Sequence, residues 1–286
     1  MVWGLRLIYP AIRVYRGSFL ASRETIQVIN LISSAICYLL PMVLLRRVLG
    51  LPVSSAFPMR RLPPKMVLPL AGIVLGSSAI GSTVSLILSA LLSLLRLSPS
   101  GPQLATPDSL GTLFLAVLTA ALLPALFEEL LFRGVVLQSL RRFGDLFALG
   151  VTSILFSLLH RNLVQIPNAL ITGMVLGYMV LRTGSVRASI FCHFVNNLLP
   201  IILQAFSPYL PDSAFNLLFL GLNFIYVLLG LGGLIYLCTA YDGFFSPLRG
   251  EGKRSEHYKY RSFFSSLPIL VVVASLSISV LINMMG

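Results

Sequence analysis

Long apolar stretches, separated by short polar connections, run along almost the whole chain. Their approximate bounds are residues 26–46, 66–95, 111–142, 145–160, 166–182, 186–205, 214–239 and 267–285. A helix needs roughly 20 apolar residues to cross a bilayer core about 30 Å thick, and the stretches at 145–160 and 166–182 are short for that task. The pattern therefore predicts an all-α membrane bundle of about eight transmembrane helices.

The connections divide the chain into three parts. Brief links around residues 143–145, 161–165 and 183–185 make the four stretches between residues 111 and 205 antiparallel neighbours in one bundle. Residues 1–110 hold two membrane helices after an arginine-bearing N-terminus that lacks the order of a signal peptide, so we predict an interfacial N-terminal segment. Residues 206–286 add C-terminal membrane helices and a basic loop.

Composition supports a membrane environment and limits the partners. Hydrophobic residues make up 57% of the 286 residues and charged residues 10%, whereas a soluble domain carries about 25% charged residues. The net charge of +12 comes mostly from arginine and lysine that lie between the apolar stretches. We therefore expect membrane lipids as partners and no nucleic acid.

The basic residues also indicate an orientation. They cluster after the first, third, fifth and seventh stretches, at Arg46, Arg47, Arg60, Arg61, Lys65, Arg141, Arg142, Arg182, Arg187, Arg249, Lys253, Arg254, Lys259 and Arg261. Because cytoplasmic loops collect lysine and arginine, these connections are predicted to face the cytoplasm of a multi-pass cell-membrane protein. The N-terminal arginines then fall on the opposite side, against the same rule, unless they lie in the interface.

Two adjacent carboxylates interrupt the third apolar stretch. A charged side chain at the centre of a membrane helix costs roughly 2.5–3.5 kcal/mol on insertion scales, so it indicates a functional site by default. Glu129 and Arg133 are four residues apart and share a helix face, which allows Arg133 to neutralise Glu129. Glu128 points about 100° away around the helix and is left free for chemistry.

Two histidines lie in the neighbouring stretches. Glu128 stands about 14 residues before the turn at 143–145 and His160 about 15 after it, so both lie roughly 21–23 Å from the same turn and can meet. His193 shares a helix face with Asn197, but it lies only about eight residues past the turn at 183–185, so its approach requires tilt. The alternative is that these polar groups only bind helices to one another.

Three short motifs stand in order on these stretches. They are EExxxR at Glu128–Arg133, FxxxH at Phe156–His160 and HxxxN at His193–Asn197. This set resembles the CPBP family of intramembrane endopeptidases, also called the CAAX protease and bacteriocin-processing or Abi family, which includes the Ras-converting-enzyme type. The resemblance covers about residues 111–205, which become the predicted catalytic core. It implies an eight-helix fold with a cavity open to the cytoplasm.

The resemblance also implies a role for each residue of the motifs. Glu128 would be the general base that deprotonates a water held with His160, and His193 and Asn197 would donate hydrogen bonds to the oxyanion. Glu129 and Arg133 would orient their helix. The implied activity is hydrolysis of peptide bonds in membrane-associated substrates, either prenylated CAAX-type proteins or peptides of the bacteriocin type.

Other interpretations stay open at this point. Glu128, His160 and His193 could supply three ligands to zinc and leave one position for water, although no HExxH motif is present. Otherwise no cofactor is expected. A proton- or metal-coupled carrier could use the same residues as a relay, but we find no inverted repeat. A non-catalytic immunity scaffold is the third alternative.

Overall fold

The computed structural model of the protein describes residues 23–96, 106–107, 109–248 and 255–285. Its helices are α1 Arg23–Val48, α2 Val53–Ala56, α3 Pro64–Leu94, α4 Leu110–Phe143, α5 Asp145–Leu159, α6 Ile166–Thr183, α7 Val186–Phe206, α8 Asp212–Ala240, α9 Glu256–Phe264 and α10 Leu267–Met285. The described residues form no β-strand, so the predicted all-α class is confirmed. The predicted N-terminal interfacial segment, residues 1–24, lies outside the described residues apart from residues 23 and 24.

Each of the eight predicted apolar stretches is helical, but the number of membrane spans is not confirmed. Among the described residues, four helices are long and apolar enough to cross a membrane, namely α3, α4, α7 and α8. Helices α9 and α10 qualify only as a pair, with a bend of 73° between them. Helix α5 has 15 residues and reaches about 22 Å, which is less than the bilayer core of about 30 Å.

Helix α4 is continuous but irregular. It begins at a capping box in which Ser109 and Thr112 bind each other's backbone amides, and it contains π-helical turns at Val117–Leu122 and Leu130–Val136. The first π-helical turn ends just before Pro124, which has no N–H to continue the hydrogen-bond ladder. Single π-helical turns inside α-helices often occur at functional sites, and Glu128 and Glu129 lie between the two turns.

Helix α3 packs closely against α6 and α8. Glycines allow this approach, since a Cβ on Gly72 would lie 2.7 Å from the carbonyl oxygen of Leu229, and one on Gly233 would lie 2.4 Å from that of Pro69. Small residues at such crossings let membrane helices pack backbone to backbone. The largest core cluster accordingly joins residues of α3, α6, α7 and α8. The central bundle thus includes α3, in addition to the four helices expected from the sequence.

One end of the bundle carries most of the arginines in the described residues. The turn at Gly184, where φ is +65°, joins α6 to α7, and the segment before α3 binds to it. Gly184 accepts a hydrogen bond from the backbone N–H of Arg60 at 3.2 Å, and Pro58 accepts one from Val186 at 2.8 Å. We call this region, which includes Arg60, Arg61, Arg182 and the turn at Gly184, the arginine-rich end. The connection at residues 160–165 lies at the opposite end of α5 and α6.

Candidate active site

Glu129 is the centre of a buried ionic cluster. Its Oε1 accepts hydrogen bonds from Arg133 Nη1 at 2.7 Å and from His193 Nδ1 at 2.9 Å. The side chains of Glu129 and Arg133 are both 0% exposed. The expected pairing along α4 is confirmed. Removing either partner would leave an uncompensated charge inside the bundle, a change that typically costs about 3–5 kcal/mol.

Arg133 contacts residues of two neighbouring helices in addition to Glu129 on its own helix. Its Nη2 donates to the backbone carbonyl of Gly173 on α6 at 3.1 Å, and its guanidinium lies 4.3 Å from the centroid of the Phe156 ring on α5. Phe156 also makes edge contacts with the rings of His160 and His193, at centroid distances of 5.1 and 5.9 Å. The aromatic residue of the second motif therefore packs against charged or polar members of all three motifs.

Glu128 has different surroundings from Glu129. Its Oε1 accepts a hydrogen bond from the Tyr38 hydroxyl on α1 at 2.8 Å. Its Oε2 lies 4.0 Å from His193 Nε2, which is too far for a direct hydrogen bond. Glu128 is therefore not bound to Arg133, which agrees with the different helix face expected for it.

The two histidines share one tautomeric arrangement. Nδ1 of His193 faces a carboxylate oxygen, and Nδ1 of His160 lies 3.1 Å from the Phe156 carbonyl oxygen. Because a carboxylate or carbonyl oxygen only accepts hydrogen bonds, each Nδ1 carries a proton. Nε2 is then the nitrogen that each ring has left for a partner in the site.

A cavity of about 390 Å³ connects these groups. Its polar lining includes Glu128, His160, Gln165, His193, Asn196 and Asn197. Glu128 and His160, which were expected to meet, both border this one cavity. His193 also borders this cavity. Counting residues from the turn at 183–185 had predicted a position nearer the arginine-rich end. That count assumed upright helices without offset.

The cavity extends away from the arginine-rich end. Gln165, which borders it, lies in the connection between α5 and α6. On α4, the lining continues from Glu128 through Pro124 to Ala120, toward the start of that helix. The catalytic candidates and the arginine-rich end therefore lie at different levels of the bundle.

The residues suggested as zinc ligands do not fit a metal centre. No group of three His, Cys, Asp or Glu side chains in the described part of the chain is placed to hold a metal ion. Nδ1 of His193 is already bound to Glu129, so only its Nε2 could face an ion. We therefore derive no chemical step through zinc.

Several residues at the site were not identified from the sequence. Tyr38 lies on α1, 90 positions before the carboxylate that it binds. Ser78 and Ser82 of α3 also line the cavity. Ser82 accepts a hydrogen bond from Asn168 at 3.4 Å. No local spacing relates these residues to the three motifs, so only the tertiary structure could reveal them.

Together, the fold and this site define a helical membrane protein with a buried ionic centre beside a polar cavity. Residues 110–199 match the family described as type II CAAX prenyl endopeptidase, Rce1-like. This match supports membership of the CPBP family and a membrane protease of the CAAX type. No match is found among curated proteins or among solved structures.

Proposed function

We propose that the protein is an intramembrane endopeptidase that hydrolyses peptide bonds with a water activated by Glu128. The observation that supports this proposal is the shared cavity inside an apolar bundle, which Glu128 and His160 both line. A carboxylate beside an imidazole can hold a water and take its proton. The proposed reaction uses only water and side chains of the protein.

The proposed reaction begins with a water held between Glu128 and Nε2 of His160. Glu128 removes one proton while the water oxygen attacks the carbonyl carbon of the scissile peptide bond. The tetrahedral intermediate then collapses, the C–N bond breaks, and the proton on Glu128 passes to the leaving amine. Oε2 of Glu128 is the oxygen available for this role, since Oε1 is bound to Tyr38.

Asn197 and His193 are proposed to donate hydrogen bonds to the oxyanion, Asn197 from its amide N–H and His193 from Nε2–H as an imidazolium, because its Nδ1 proton is already bound to Glu129. Both line the cavity, and donors fixed in a water-poor site are worth more than the same donors in water. Glu129 holds Nδ1 of His193, so it fixes the imidazole with Nε2 toward Glu128. Arg133 in turn balances the charge of Glu129, which gives this pair a positioning role.

The substrate is proposed to be a membrane-associated protein or peptide. The family match favours a CAAX-type prenyl protein, and a processed peptide of the bacteriocin type is the second possibility within the same chemistry. Both place the scissile bond at the membrane surface or within it. The two classes differ in the prenyl group, so they can be separated with matched probes.

The side of the membrane from which substrate enters is a further part of the proposal. The charge pattern predicts that the arginine-rich end faces the cytoplasm, whereas the cavity extends toward the opposite end, at Gln165. A cytoplasmic opening, as the resemblance implies, conflicts with that arrangement. We propose that the cavity opens on the side of the membrane away from the cytoplasm.

Purified wild-type protein in detergent tests the catalytic proposal. The probes are a farnesylated CAAX peptide, the same peptide without farnesyl, and a mixed fluorogenic peptide library. We expect cleavage of at least one probe by wild type, and loss of cleavage by at least about 100-fold in Glu128→Ala, His160→Ala and His193→Ala. Cleavage that disappears with a chelator and returns with zinc would contradict the proposed mechanism.

The same variants separate the peptidase from the other interpretations. A wild-type protein that cuts none of the probes, while Glu128→Ala changes proton or metal flux in vesicles, would favour the carrier. A protein that cuts nothing and moves no ion would favour the scaffold. Each variant is compared with wild type by size-exclusion chromatography, so that loss of fold is not read as loss of chemistry.

Cysteine labelling tests the proposed orientation without a substrate. Cys37, Cys192 and Cys238 are first replaced by serine, and single cysteines are then placed at Gln165, which borders the cavity, or at exposed Ser54, near the arginine-rich end. A membrane-impermeant maleimide added to intact cells should label Gln165→Cys only. Ser54→Cys should react only after the membrane is opened, and the reverse pattern would place the cavity on the cytoplasmic side.

A further inference from the structure

The Tyr38 hydroxyl makes the only hydrogen bond to Glu128 among the described residues. The phenol is the donor, because a carboxylate oxygen accepts. This contact joins α1, which lies outside the segment matched by the family, to the proposed general base on α4. The contact fixes one carboxylate oxygen, and Oε2 remains on the side of His193 Nε2 at 4.0 Å.

The position of the Tyr38 ring is set by packing as well as by this hydrogen bond. The ring stacks on Phe127 of α4, with centroids 6.4 Å apart and planes 22° from parallel. Tyr38 and Met42, one helical turn apart, both pack against the cluster that contains Leu131 and Phe156. The hydroxyl is thus brought to Glu128 by a helix face that is anchored along α4.

We infer that Tyr38 is a positioning residue that selects which oxygen of Glu128 acts as the base. A carboxylate on a flexible side chain presents either oxygen, and holding one of them reduces the number of unproductive rotamers. The hydrogen bond occupies Oε1 and directs Oε2 to the water and the substrate. This inference rests on the proposed function for its catalytic consequence, whereas the contact itself can be tested without any substrate.

Thermal unfolding in detergent provides the substrate-free test. Tyr38→Phe keeps the ring on Phe127 and removes only the hydroxyl, and Glu128→Leu removes the acceptor oxygens at a similar side-chain size. If the two groups interact, the shifts in unfolding temperature of the single variants will not add in the double variant. Additive shifts would overturn the inference, whether or not the protein is a peptidase.

Steady-state cleavage provides the functional test, with whichever of the three peptide probes the wild type cuts. For Tyr38→Phe we expect kcat to fall about 10- to 100-fold, the range for losing a hydrogen bond to a charged group, with KM changed by less than about threefold. A raised KM with unchanged kcat would show that Tyr38 binds substrate instead. Unchanged kcat and KM would also overturn the inference.

Tyr178→Phe is the matched control. It removes a phenol hydroxyl that donates to the Phe244 carbonyl oxygen at 3.0 Å, at the arginine-rich end. We expect its kcat to stay within about twofold of wild type, with additive unfolding shifts when it is combined with Glu128→Leu. An inactive wild-type protein would refute the proposed function, and the unfolding cycle would still decide whether Tyr38 holds Glu128.

Discussion

Two arginines of this protein show how differently a charge behaves in two regions of one bundle. Arg133 is 0% exposed and binds the carboxylate of Glu129 at 2.7 Å. Arg182 is half-buried at the arginine-rich end, where it donates to the carbonyl oxygens of Gly243 and Phe244 and to the hydroxyl of Ser246. One arginine has an ionic partner, and the other has neutral acceptors.

The difference follows from the solvent that each region meets. At the arginine-rich end, water can replace a lost hydrogen bond, so single contacts contribute little. Around Glu129 and Arg133, whose side chains are 0% exposed, no water compensates, and each charge requires a partner in the protein. The buried cluster therefore depends on all of its members, whereas the arginine-rich end is expected to tolerate changes. Four substitutions test this contrast, in order of decreasing effect.

The largest effect is expected for Arg133→Met. It leaves the buried carboxylate of Glu129 without its cationic partner and should lower the free energy of unfolding by about 3–5 kcal/mol. Denaturant unfolding of the purified protein in detergent measures this loss. The double variant Arg133→Met with Glu129→Gln removes both charges and should recover part of the stability, and a double variant that is less stable still would contradict the ion-pair account.

The next effect is on catalysis rather than on stability. Asn197→Ala removes a proposed oxyanion donor that lines the cavity, so kcat should fall by about 10²- to 10³-fold, or about 2.7–4 kcal/mol. The measurement is kcat with the peptide probe that wild type cleaves. Asn223→Ala, on α8, offers the same chemical change where the amide donates only to its own helix, at Phe219. Equal losses in both variants would contradict a specific role for Asn197.

A smaller effect is expected for Gly173→Ala. A Cβ at this position would lie 3.0 Å from Phe156 Cδ1 and 3.5 Å from Arg133 Nη2, so it would press on the cluster and cost about 1–3 kcal/mol. Gly221→Ala is the control, since nothing lies within 4 Å of its added Cβ. Because alanine favours a helix over glycine, Gly221→Ala should leave the unfolding midpoint unchanged or raise it. A neutral Gly173→Ala would show that the packing is looser than described.

The smallest effect is expected for Arg182→Gln. Its acceptors are neutral backbone and hydroxyl oxygens near the surface, and water can take the place of the guanidinium, so the loss should stay below about 1 kcal/mol. Denaturant unfolding under the same conditions as for Arg133→Met gives a direct comparison. A loss as large as that of Arg133→Met would remove the contrast between the two regions.

The features that could be predicted from the sequence were local ones. Apolar stretches give helices because burial in lipid requires their backbone groups to bond within the segment, and all eight stretches are helical in the described residues. The spacing of Glu129 and Arg133 likewise fixed their pairing. The number of spans was less accessible, since a helix such as α5, with 15 residues, is apolar but short for a bilayer core.

The features that could not be predicted depend on contacts between distant segments. The hydrogen bond from Tyr38 to Glu128 joins residues 90 positions apart, and no sequence pattern near either residue predicts this contact. The link from Glu129 to His193 was missed because counting from turns ignores the offset of α7. The π-helical turns of α4 have no simple sequence signal beyond Pro124. The motifs therefore predict which residues form the candidate site, whereas the geometry of the site depends on tertiary packing.

The two neighbouring carboxylates allow the most direct test of the central claim that Glu128 performs chemistry and Glu129 supports structure. Cleavage per folded molecule and unfolding temperature are measured for Glu128→Gln and Glu129→Gln side by side. We expect Glu128→Gln to fold but to lose cleavage by at least about 10³-fold, whereas Glu129→Gln should unfold at a lower temperature and keep more activity. Cleavage that survives in Glu128→Gln but disappears in folded Glu129→Gln would contradict these two roles.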